Sequence, residues 1–483
     1  MAFRYGNRFQ KTMLPPSIEQ YVPKDCPVRA YDALIEAIDF SDLGISLNSC
    51  RVGRAQYDPK AMMKLLVYSY SYGLKSSRMI ERETHQNLSF IWLMGGLKPD
   101  HKTIAEFRRK NKEAIKKLLK HCARICVRLD LIAGNVLFVD GTKIRANAGR
   151  SRSHGQAYYK KQLAAVDARI ETLLSQCERI DQDEQHLSSA VSMKKELSKA
   201  EVLKSTIQAV LKEFKETDRS RINQTDPDCA IMHSRQGSHA SYNVQTVVDD
   251  THGLIVHAEA VNATSDYNQF SRQIEQANEL LPRPCAVACA DAGYADTEDL
   301  GTIDSQGIEV IVPSQRQALH EDEKPFSKST FRYNAEHDCY VCPQGHRLLF
   351  AGLDKKPGKR HYVISHKELC QRCEHYGACT KSKRGRKIIR LPDEALKEKL
   401  EAHYERAESQ AIYRRRHGKA EAPFGHIKRN LKTDGFLLRG QSGAQAETSL
   451  LGTCFNVARM ITILGLEGLI QKLRLLCATA ALA

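Results

Sequence analysis

No segment of the sequence is both long and uniformly apolar, and this absence argues against a membrane-spanning protein. A spanning helix needs about 18 consecutive apolar residues. The longest candidate, residues 450–464, is interrupted by Asn456 and Arg459, so we interpret it as a buried helix. The first residues, MAFRYGNRFQKTMLPPS, contain no apolar signal-peptide core. We therefore expect a cytoplasmic protein with no membrane partner.

Acidic residues are also fewer than basic ones. Asp and Glu number 57 against 73 Lys and Arg, which gives a formal net charge of +16 and a pI near 9.1. A basic excess of this size favours a polyanionic partner, and nucleic acid fits better than a membrane surface. At 483 residues with 42% hydrophobic residues, the chain is too long for one ordinary domain and can bury a sizeable core.

Cysteine, by contrast, is plentiful, with fifteen in the chain. Disulfides are rare in a reducing cytoplasm, so closely spaced cysteines there indicate metal binding. Two Cys-x2-Cys pairs are separated by 27 residues, and a fifth cysteine follows them: Cys339, Cys342, Cys370, Cys373 and Cys379. The pattern favours one structural, tetrahedral Zn²⁺ over free thiols. His346, His375 or Cys379 is an alternative for one of the four thiolates.

The first 130 residues predict a compact set of helices. Helix start signals stand at Asp58 with Pro59, at Ser76 or Ser77, at Asn87 and at Pro99. The last of these opens a longer basic helix, which we expect to run to about Leu129. Basic residues on the outer faces fit a helix-turn-helix reader of duplex DNA, but a helical packing or oligomerisation module fits equally well.

Two acidic residues follow buried strands. In residues 135–150, NVLFVDGTKIRANAGR, Asp140 comes directly after an apolar run whose two faces are both hydrophobic. Asp291 follows the apolar run 286–290 in the same way. We expect Asp140 to lie where the buried strand emerges into solvent. If the two strands are parallel neighbours, both acids meet at the carboxyl edge of the sheet.

The remaining pattern predicts a mixed α/β sheet with a helical insertion. Apolar stripes over residues 158–214, with a polar DQDEQH between them, predict an antiparallel helical hairpin that serves as an arm, a dimer contact or a structural insertion. Strands are expected at residues 242–248, 254–257 and 308–312, and a helix at 266–281. A fold built from alternating strands and helices follows from this order.

A third acidic residue lies near the C-terminal end. From Ala420 onward a helical pattern places Glu421, Gly425 and Lys428 on one face. Because Pro423 fits only in a first helical turn, we expect the helix to begin or kink just before it, with Glu421 at its N-terminal end. Taken alone, Glu421 and Lys428 are equally explained by a surface ion pair.

These motifs in combination resemble a known family. FVDGTKI, ADAGYAD and EAPFGHIK, with the segment PDHKTIAEFRR and the cysteine block, resemble the DDE transposases of bacterial insertion sequences, most closely the group numbered eleven-eighty-two. The resemblance covers nearly the whole chain. It implies a ribonuclease-H-like catalytic domain with Asp140 on the first strand, Asp291 on the adjacent fourth strand and Glu421 on a C-terminal helix.

The fold class expected from the resemblance is therefore a ribonuclease-H-like mixed α/β sheet preceded by an all-α domain. Residues 1–130 would bind the DNA ends, and residues 131–465 would form the catalytic domain. The helical hairpin (156–218) and a cysteine-rich zinc insertion (330–390) would interrupt the catalytic domain. Residues 466–483 would form a C-terminal tail.

The resemblance also implies the chemistry. Two Mg²⁺ (or Mn²⁺) ions would be held by three carboxylates, with Asp140 bridging both ions, Asp291 binding one and Glu421 the other. Lys428 would contact the DNA backbone. The family signature Tyr-x2-Arg-x3-Glu-x6-Lys fits Glu421 and Lys428, whereas Tyr413-x2-Arg416 lies one residue too far upstream, so the DNA-binding roles of those two stay open. Lys143 and Arg145 either contact DNA or are solvated.

The expected function is a DNA transposase that binds terminal inverted repeats, cleaves the strands at the element's ends and joins the 3′ ends to target DNA. Its partners would be double-stranded DNA, both element ends and target, and further copies of itself in a homodimer or higher oligomer. It would act at the bacterial nucleoid. Two alternatives remain open: a nuclease or resolvase of the same fold, and a zinc-stabilised DNA-binding regulator without catalysis.

Overall fold

The computed structural model describes residues 17–47, 56–182, 187–217, 219–234, 237–320, 325–353 and 358–482. The helices are α1 (Ile18–Tyr21), α2 (Val28–Glu36), α3 (Phe40–Leu43), α4 (Pro59–Ser71), α5 (Ser77–Gln86), α6 (Leu88–Leu93), α7 (His101–Lys110), α8 (Lys112–Arg128), α9 (Gln156–Gln182), α10 (Leu187–Glu216), α11 (Phe270–Asn278), α12 (Thr297–Ser305), α13 (Gln315–Ala318), α14 (Lys367–Gln371), α15 (Glu394–Tyr404), α16 (Ala407–Arg429), α17 (Gly440–Leu464) and α18 (Leu466–Leu482). The strands are β1 (Val136–Arg145), β2 (Ser153–His154), β3 (Ile222–Asn223), β4 (Ala230–Ser234), β5 (Gly237–Asp249), β6 (Ile255–Val261), β7 (Val287–Cys289), β8 (Glu309–Ile311), β9 (Arg332–Asn334), β10 (Cys339–Val341), β11 (Arg347–Leu353), β12 (Arg360–Ile364) and β13 (Lys387–Arg390).

The N-terminal helices begin where their capping residues predict. The carboxylate of Asp58 accepts the N–H groups of Lys60 and Ala61 at 3.1 and 3.2 Å, which satisfies donors that the first turn of α4 leaves unpaired. The single long helix expected from Pro99 is wrong, because Asn111 ends α7 and precedes α8. Its side-chain amide donates to the carbonyl of Phe107 at 2.8 Å, a local bond that competes with continued helix.

The main sheet is mixed, as the sequence predicted. Its order is β4-β5-β1-β7-β8, with β6 also paired to β5. Strand β1 is antiparallel to β5 and parallel to β7, and β7 is parallel to β8. The central strand β1 therefore joins the antiparallel half of the sheet to the parallel half.

Strand β1 is longer than the apolar run indicated. It continues past Asp140 to Arg145, paired throughout with β5, so the expectation that Asp140 ends the strand is wrong. The parallel neighbour β7 pairs only as far as Phe138 on β1. Asp140 thus lies inside its own strand but just beyond the end of the parallel ladder.

Two insertions leave the sheet at its loops. The hairpin of α9 and α10 packs along its own apolar stripe, as predicted, although residues 183–186 of its polar turn lie outside the described part of the chain. Strands β2 and β3 pair at its base. The cysteine-rich region forms a separate five-stranded antiparallel sheet, β13-β12-β11-β10-β9, around its own small core.

The N-terminal helices and the main sheet share one hydrophobic core. It includes Leu66 of α4, Val139 of β1 and Leu450 of α17, all fully buried. Helix α17 packs against α4, α8 and β6, so it joins the two halves. No single helix among the described residues is long and apolar enough to span a membrane. Helices α17 and α18 satisfy that test only together, as a pair bent by 111°.

A buried polar link crosses this shared core. Glu447 of α17 is only 1% exposed and accepts the hydroxyl of Tyr70 at 2.6 Å and the N–H of Leu437 at 2.7 Å. Arg108 of α7 donates to the same tyrosine oxygen at 3.2 Å. Burial raises the pKa of Glu447, while these donors oppose the rise. A buried carboxylate is tolerated here because its partners replace water.

We expect Tyr70→Phe to destabilise the protein by about 1–3 kcal/mol, because it leaves a buried acceptor without its donor. A thermal unfolding experiment should show a clear decrease in Tm. Tyr21→Phe is the matched control, since Tyr21 is 48% exposed and water can reach its hydroxyl. Equal Tm values for the two variants would contradict the proposed role of the link.

Candidate active site

The parallel pairing of β1 with β7 ends just before two acidic residues, one after each strand's last paired residue. Phe138 is the partner of Cys289, and Asp140 and Asp291 each lie two residues further along (138 + 2 and 289 + 2). Because side chains alternate between the faces of a strand, Asp140 lies on the same face as Phe138. This is the face covered by α16, since Phe138 and Cys289 pack against Ala420.

Asp291 begins a tight turn beyond the end of β7. Its carboxylate accepts the N–H of Gly293 at 2.8 Å, and residues Ala292–Tyr294 form a short 3-10 turn. The carbonyl of Asp291 accepts the N–H of Tyr294 at 3.1 Å. The turn therefore holds Asp291 at the carboxyl edge of the sheet.

Helix α16 brings the third acid to the same edge. It runs from Ala407 to Arg429 with Pro423 inside it, so the expectation that Glu421 lies at the N-terminal end of its helix is wrong. Glu421 lies on the helix surface well after its start. Its side chain is 51% exposed and pairs with His417, one turn earlier, at 2.9 Å. Sequence reasoning missed His417, although its i, i+4 spacing from Glu421 was visible.

The environment of Asp140 differs from that of an ordinary surface carboxylate. Its side chain is only 13% exposed, and burial raises its pKa to about 6. The guanidinium of Arg416, with Nη1 3.8 Å from Oδ2, opposes that rise. The negative charges of Asp291 and Glu421 add to the rise in the pKa of Asp140.

The basic residues near the site fall into two groups. Lys428 of α16 reaches back to β1, where its ammonium donates to the hydroxyl of Thr142 at 2.5 Å. Burial lowers the pKa of Lys428, and the nearby Asp140 opposes this. Arg416 faces Asp140, and its guanidinium lies over the ring of Tyr413 at 5.5 Å. That ring also packs edge-on against Tyr404, with the ring centroids 5.2 Å apart.

Lys143 and Arg145 point away from the acids. They lie three and five residues after Asp140 on β1. Because successive side chains alternate between the two faces of a strand, these odd separations put them on the face opposite Asp140. The ammonium of Lys143 donates to the carbonyl of His233 at 2.9 Å. The structure therefore brings Lys428 and Arg416 to the acidic site and does not bring Lys143 or Arg145 there.

The acids are of the type that Mg²⁺ prefers, since all three offer carboxylate oxygens. Within the described residues, however, no three His, Cys, Asp or Glu side chains stand close enough to form a ready-made metal-binding group. Glu421 instead turns to His417, and Asp140 toward Arg416. Three carboxylates are suitable ligands for a divalent cation, but in this structure Asp140 lies beside Arg416 and Glu421 binds His417.

The cysteine block places four thiols around one small cavity. That cavity is lined by Cys342, Cys370, Cys373 and Cys379, together with His346 and His375. Burial raises the pKa of the Cys379 thiol, Arg386 opposes the rise, and the three other thiols add to it. Cys339 does not line the cavity; it is buried on β10. Cys379, and not Cys339, therefore lies at the cavity with the other three thiols, although no three of the described side chains there form a ready-made metal-binding group.

Backbone donors already point at two of these sulfurs. The N–H of His346 lies 3.3 Å from Sγ of Cys342, and the N–H of Arg386 lies 3.4 Å from Sγ of Cys370. Such bonds stabilise thiolates, the form in which cysteine binds metal.

Two family models match parts of the chain. One is described as Transposase domain (DUF772) and matches residues 16–110; the other is described as Transposase DDE domain and matches residues 341–461. The second match includes α16 with Glu421. No curated protein and no solved structure gives a significant match. The two matched regions, one in the N-terminal helices and one around the third acid, together support a DDE transposase.

Proposed function

We propose that the protein binds the terminal inverted repeats of an insertion sequence, cleaves the DNA strands at its ends and transfers the 3′ ends to target DNA. The observation that carries this proposal is the parallel ladder of β1 and β7, which ends two residues before both Asp140 and Asp291 and packs against the helix that bears Glu421. The sheet order, in which β1 has the antiparallel neighbour β5 on one side and the parallel strands β7 and then β8 on the other, supports a ribonuclease-H-like catalytic domain.

DDE transposases generally use divalent metals such as Mg²⁺. In this chain Asp140, Asp291 and Glu421 would hold two such ions, which when bound activate the attacking oxygen and relieve charge on the leaving one. The buried position of Asp140 limits access of water to its carboxylate. Arg416 balances the charge of Asp140 in the absence of other cations, because its guanidinium is the basic group beside it.

DNA contacts are proposed at two places. Lys428, fixed beside Asp140 by Thr142, would contact the phosphate backbone next to the reacting group. In the N-terminal region α5 presents Arg78, Arg82 and His85 to solvent at helical spacing on one face. This exposed basic face supports recognition of the element's ends, and the net charge of +16 supports binding to the backbone.

We also propose assembly of two or more copies on DNA. Support comes from the helical hairpin, whose surface exposes Leu174, Val202 and Leu203 at 46%, 64% and 49%. Apolar side chains of this size are more favourably placed in a contact than in water. The hairpin would thus act as an arm between copies.

Asp140→Asn, Asp291→Asn and Glu421→Gln are each expected to reduce cleavage of a labelled duplex carrying the element's end by at least about a hundredfold, because each removes several kcal/mol of charge stabilisation. DNA binding in a gel-shift assay should persist. The matched control is Glu408→Gln, an exposed acid on the same helix about 20 Å away along its axis. Full cleavage by all three variants would rule out the proposal.

The product of the reaction separates transfer from simple cleavage. With Mg²⁺ or Mn²⁺ present, the labelled 3′ end should become joined to a supercoiled target plasmid. A labelled end that is cut but never joined would point instead to a nuclease of the same fold. EDTA should abolish both products.

We further propose one structural Zn²⁺ held by the thiolates of Cys342, Cys370, Cys373 and Cys379. The purified protein should then contain about one Zn²⁺ per chain by elemental analysis, and a chelator should lower its Tm. Cys379→Ser should reduce the bound zinc, whereas Cys339→Ser should retain it, because Cys339 does not line the cavity. The reverse result would restore Cys339 to the ligand set.

A further inference from the structure

A polar network supports the catalytic strand from its opposite face. Its centre is Asp266, in the loop between β6 and α11. Oδ1 of Asp266 accepts the side-chain N–H groups of Asn243 at 2.8 Å and of Gln245 at 2.7 Å. Both amides belong to β5 and are buried, at 1% and 0% exposure. Two buried donors converging on one oxygen fix the position of this carboxylate.

The network contacts β1 next to Asp140, at Gly141. Gln245 is the register partner of Gly141, the residue that follows Asp140. A Cβ atom at position 141 would lie only 2.5 Å from Oδ1 of Asp266 and 2.6 Å from Nε2 of Gln245. Only glycine permits this approach, so Asp266 lies against the backbone of the catalytic strand. Because side chains alternate, it lies on the face opposite the carboxylate of Asp140.

The other end of the network reaches the turn that carries Asp291. The hydroxyl of Tyr294, fully buried, donates to Oε1 of Gln245. Tyr294 closes the turn that begins at Asp291, through its N–H to the Asp291 carbonyl. Oδ2 of Asp266 lies 3.5 Å from where a Cβ of Gly293 would be, so the carboxylate also borders this turn.

The hydrogen-bonding capacity of these groups determines which end of the Gln245 amide faces Asp266 and which end faces Tyr294. An ionised carboxylate only accepts hydrogen bonds, whereas a glutamine amide has one donating and one accepting end. Asp266 binds the donating end of Gln245 and thereby presents the accepting end to Tyr294. We propose that Asp266 is a positioning residue, which holds the turn of Asp291 at a fixed spacing from the strand of Asp140. The inference rests on the proposed function, because it assigns a purpose to that spacing.

The test compares two substitutions at one position. Asp266→Ala removes the acceptor and should reduce cleavage and the affinity for Mn²⁺ by about 10- to 100-fold, the usual effect of losing a residue that orients metal ligands. Asp266→Asn keeps an oxygen that accepts from both amides, so it should stay within a few fold of the wild type. Mn²⁺ affinity is measured by calorimetry on the full-length protein without DNA, which gives a readout independent of catalysis.

A second variant keeps the test valid if Asp266→Ala fails to fold. Tyr294→Phe removes only the hydroxyl at the other end of the network, and it should weaken Mn²⁺ binding in the same direction. If the two residues act through Gln245, the double variant should be no worse than the more impaired single variant, because their effects are not additive.

Two results would overturn the inference. One is wild-type cleavage and Mn²⁺ affinity in both Asp266→Ala and Tyr294→Phe. The other is Asp266→Asn as impaired as Asp266→Ala, since that would show the negative charge itself to be needed. The Asp140→Asn variant separates the two proposals. If it abolishes cleavage while the Asp266 variants do not change it, only the positioning role fails.

Discussion

The parallel ladder between β1 and β7 is the constraint on which the site depends. Three consecutive residue pairs set its register, and a slip of one residue would turn one acid to the other face of the sheet. Apolar packing protects the register. Phe138 and Cys289 are buried beside Ala420 of α16, so the contact that fixes the two strands also fixes the helix that carries Glu421.

Gathering three carboxylates near one another is unfavourable unless positive charge balances them. In the protein alone, Arg416 provides this beside Asp140, and His417 pairs with Glu421. Both partners come from α16, the helix that brings Glu421 to the sheet. The same helix thus supplies an acid, the guanidinium that balances Asp140 and the imidazole that binds Glu421, and divalent cations would replace these two partners in the reaction we propose.

Much of this arrangement was accessible from the sequence, for physical reasons. A run that is apolar on both faces and then reaches an acid predicted both strands, because only a covered strand tolerates such a run. What failed depended on tertiary context. The extension of β1 beyond Asp140 is imposed by β5, and Pro423 is accommodated within α16 although its local preference favours a first turn.

Other features had no local pattern to reveal them. Spacing favoured Cys339, which belongs to a Cys-x2-Cys pair, over Cys379, which does not. The folding of the second sheet instead buries Cys339 on β10 and places Cys379 beside the remaining thiols. Asp266 lies in the loop before α11, although the sequence pattern predicted that it begins a helix. Its contacts come from β5, whose amides were read only as strand residues. The roles of such residues depend on contacts between distant parts of the chain, which composition and periodicity do not reveal.

The wide separation of the acids in the chain is tolerated because each insertion is closed at its base. Asp140 and Glu421 are 281 residues apart (421 − 140). The chain enters and leaves the helical hairpin through the paired strands β2 and β3. The two ends of this insertion therefore lie close together where they join the rest of the fold. The cysteine-rich sheet has its own core, and Glu394 of α15 binds its connecting segment through Lys328 at 2.6 Å. Closing a long loop costs entropy that grows only slowly with its length. The sheet can therefore carry both insertions and still hold β1, β7 and α16 in one register, because neither insertion enters the packing between them.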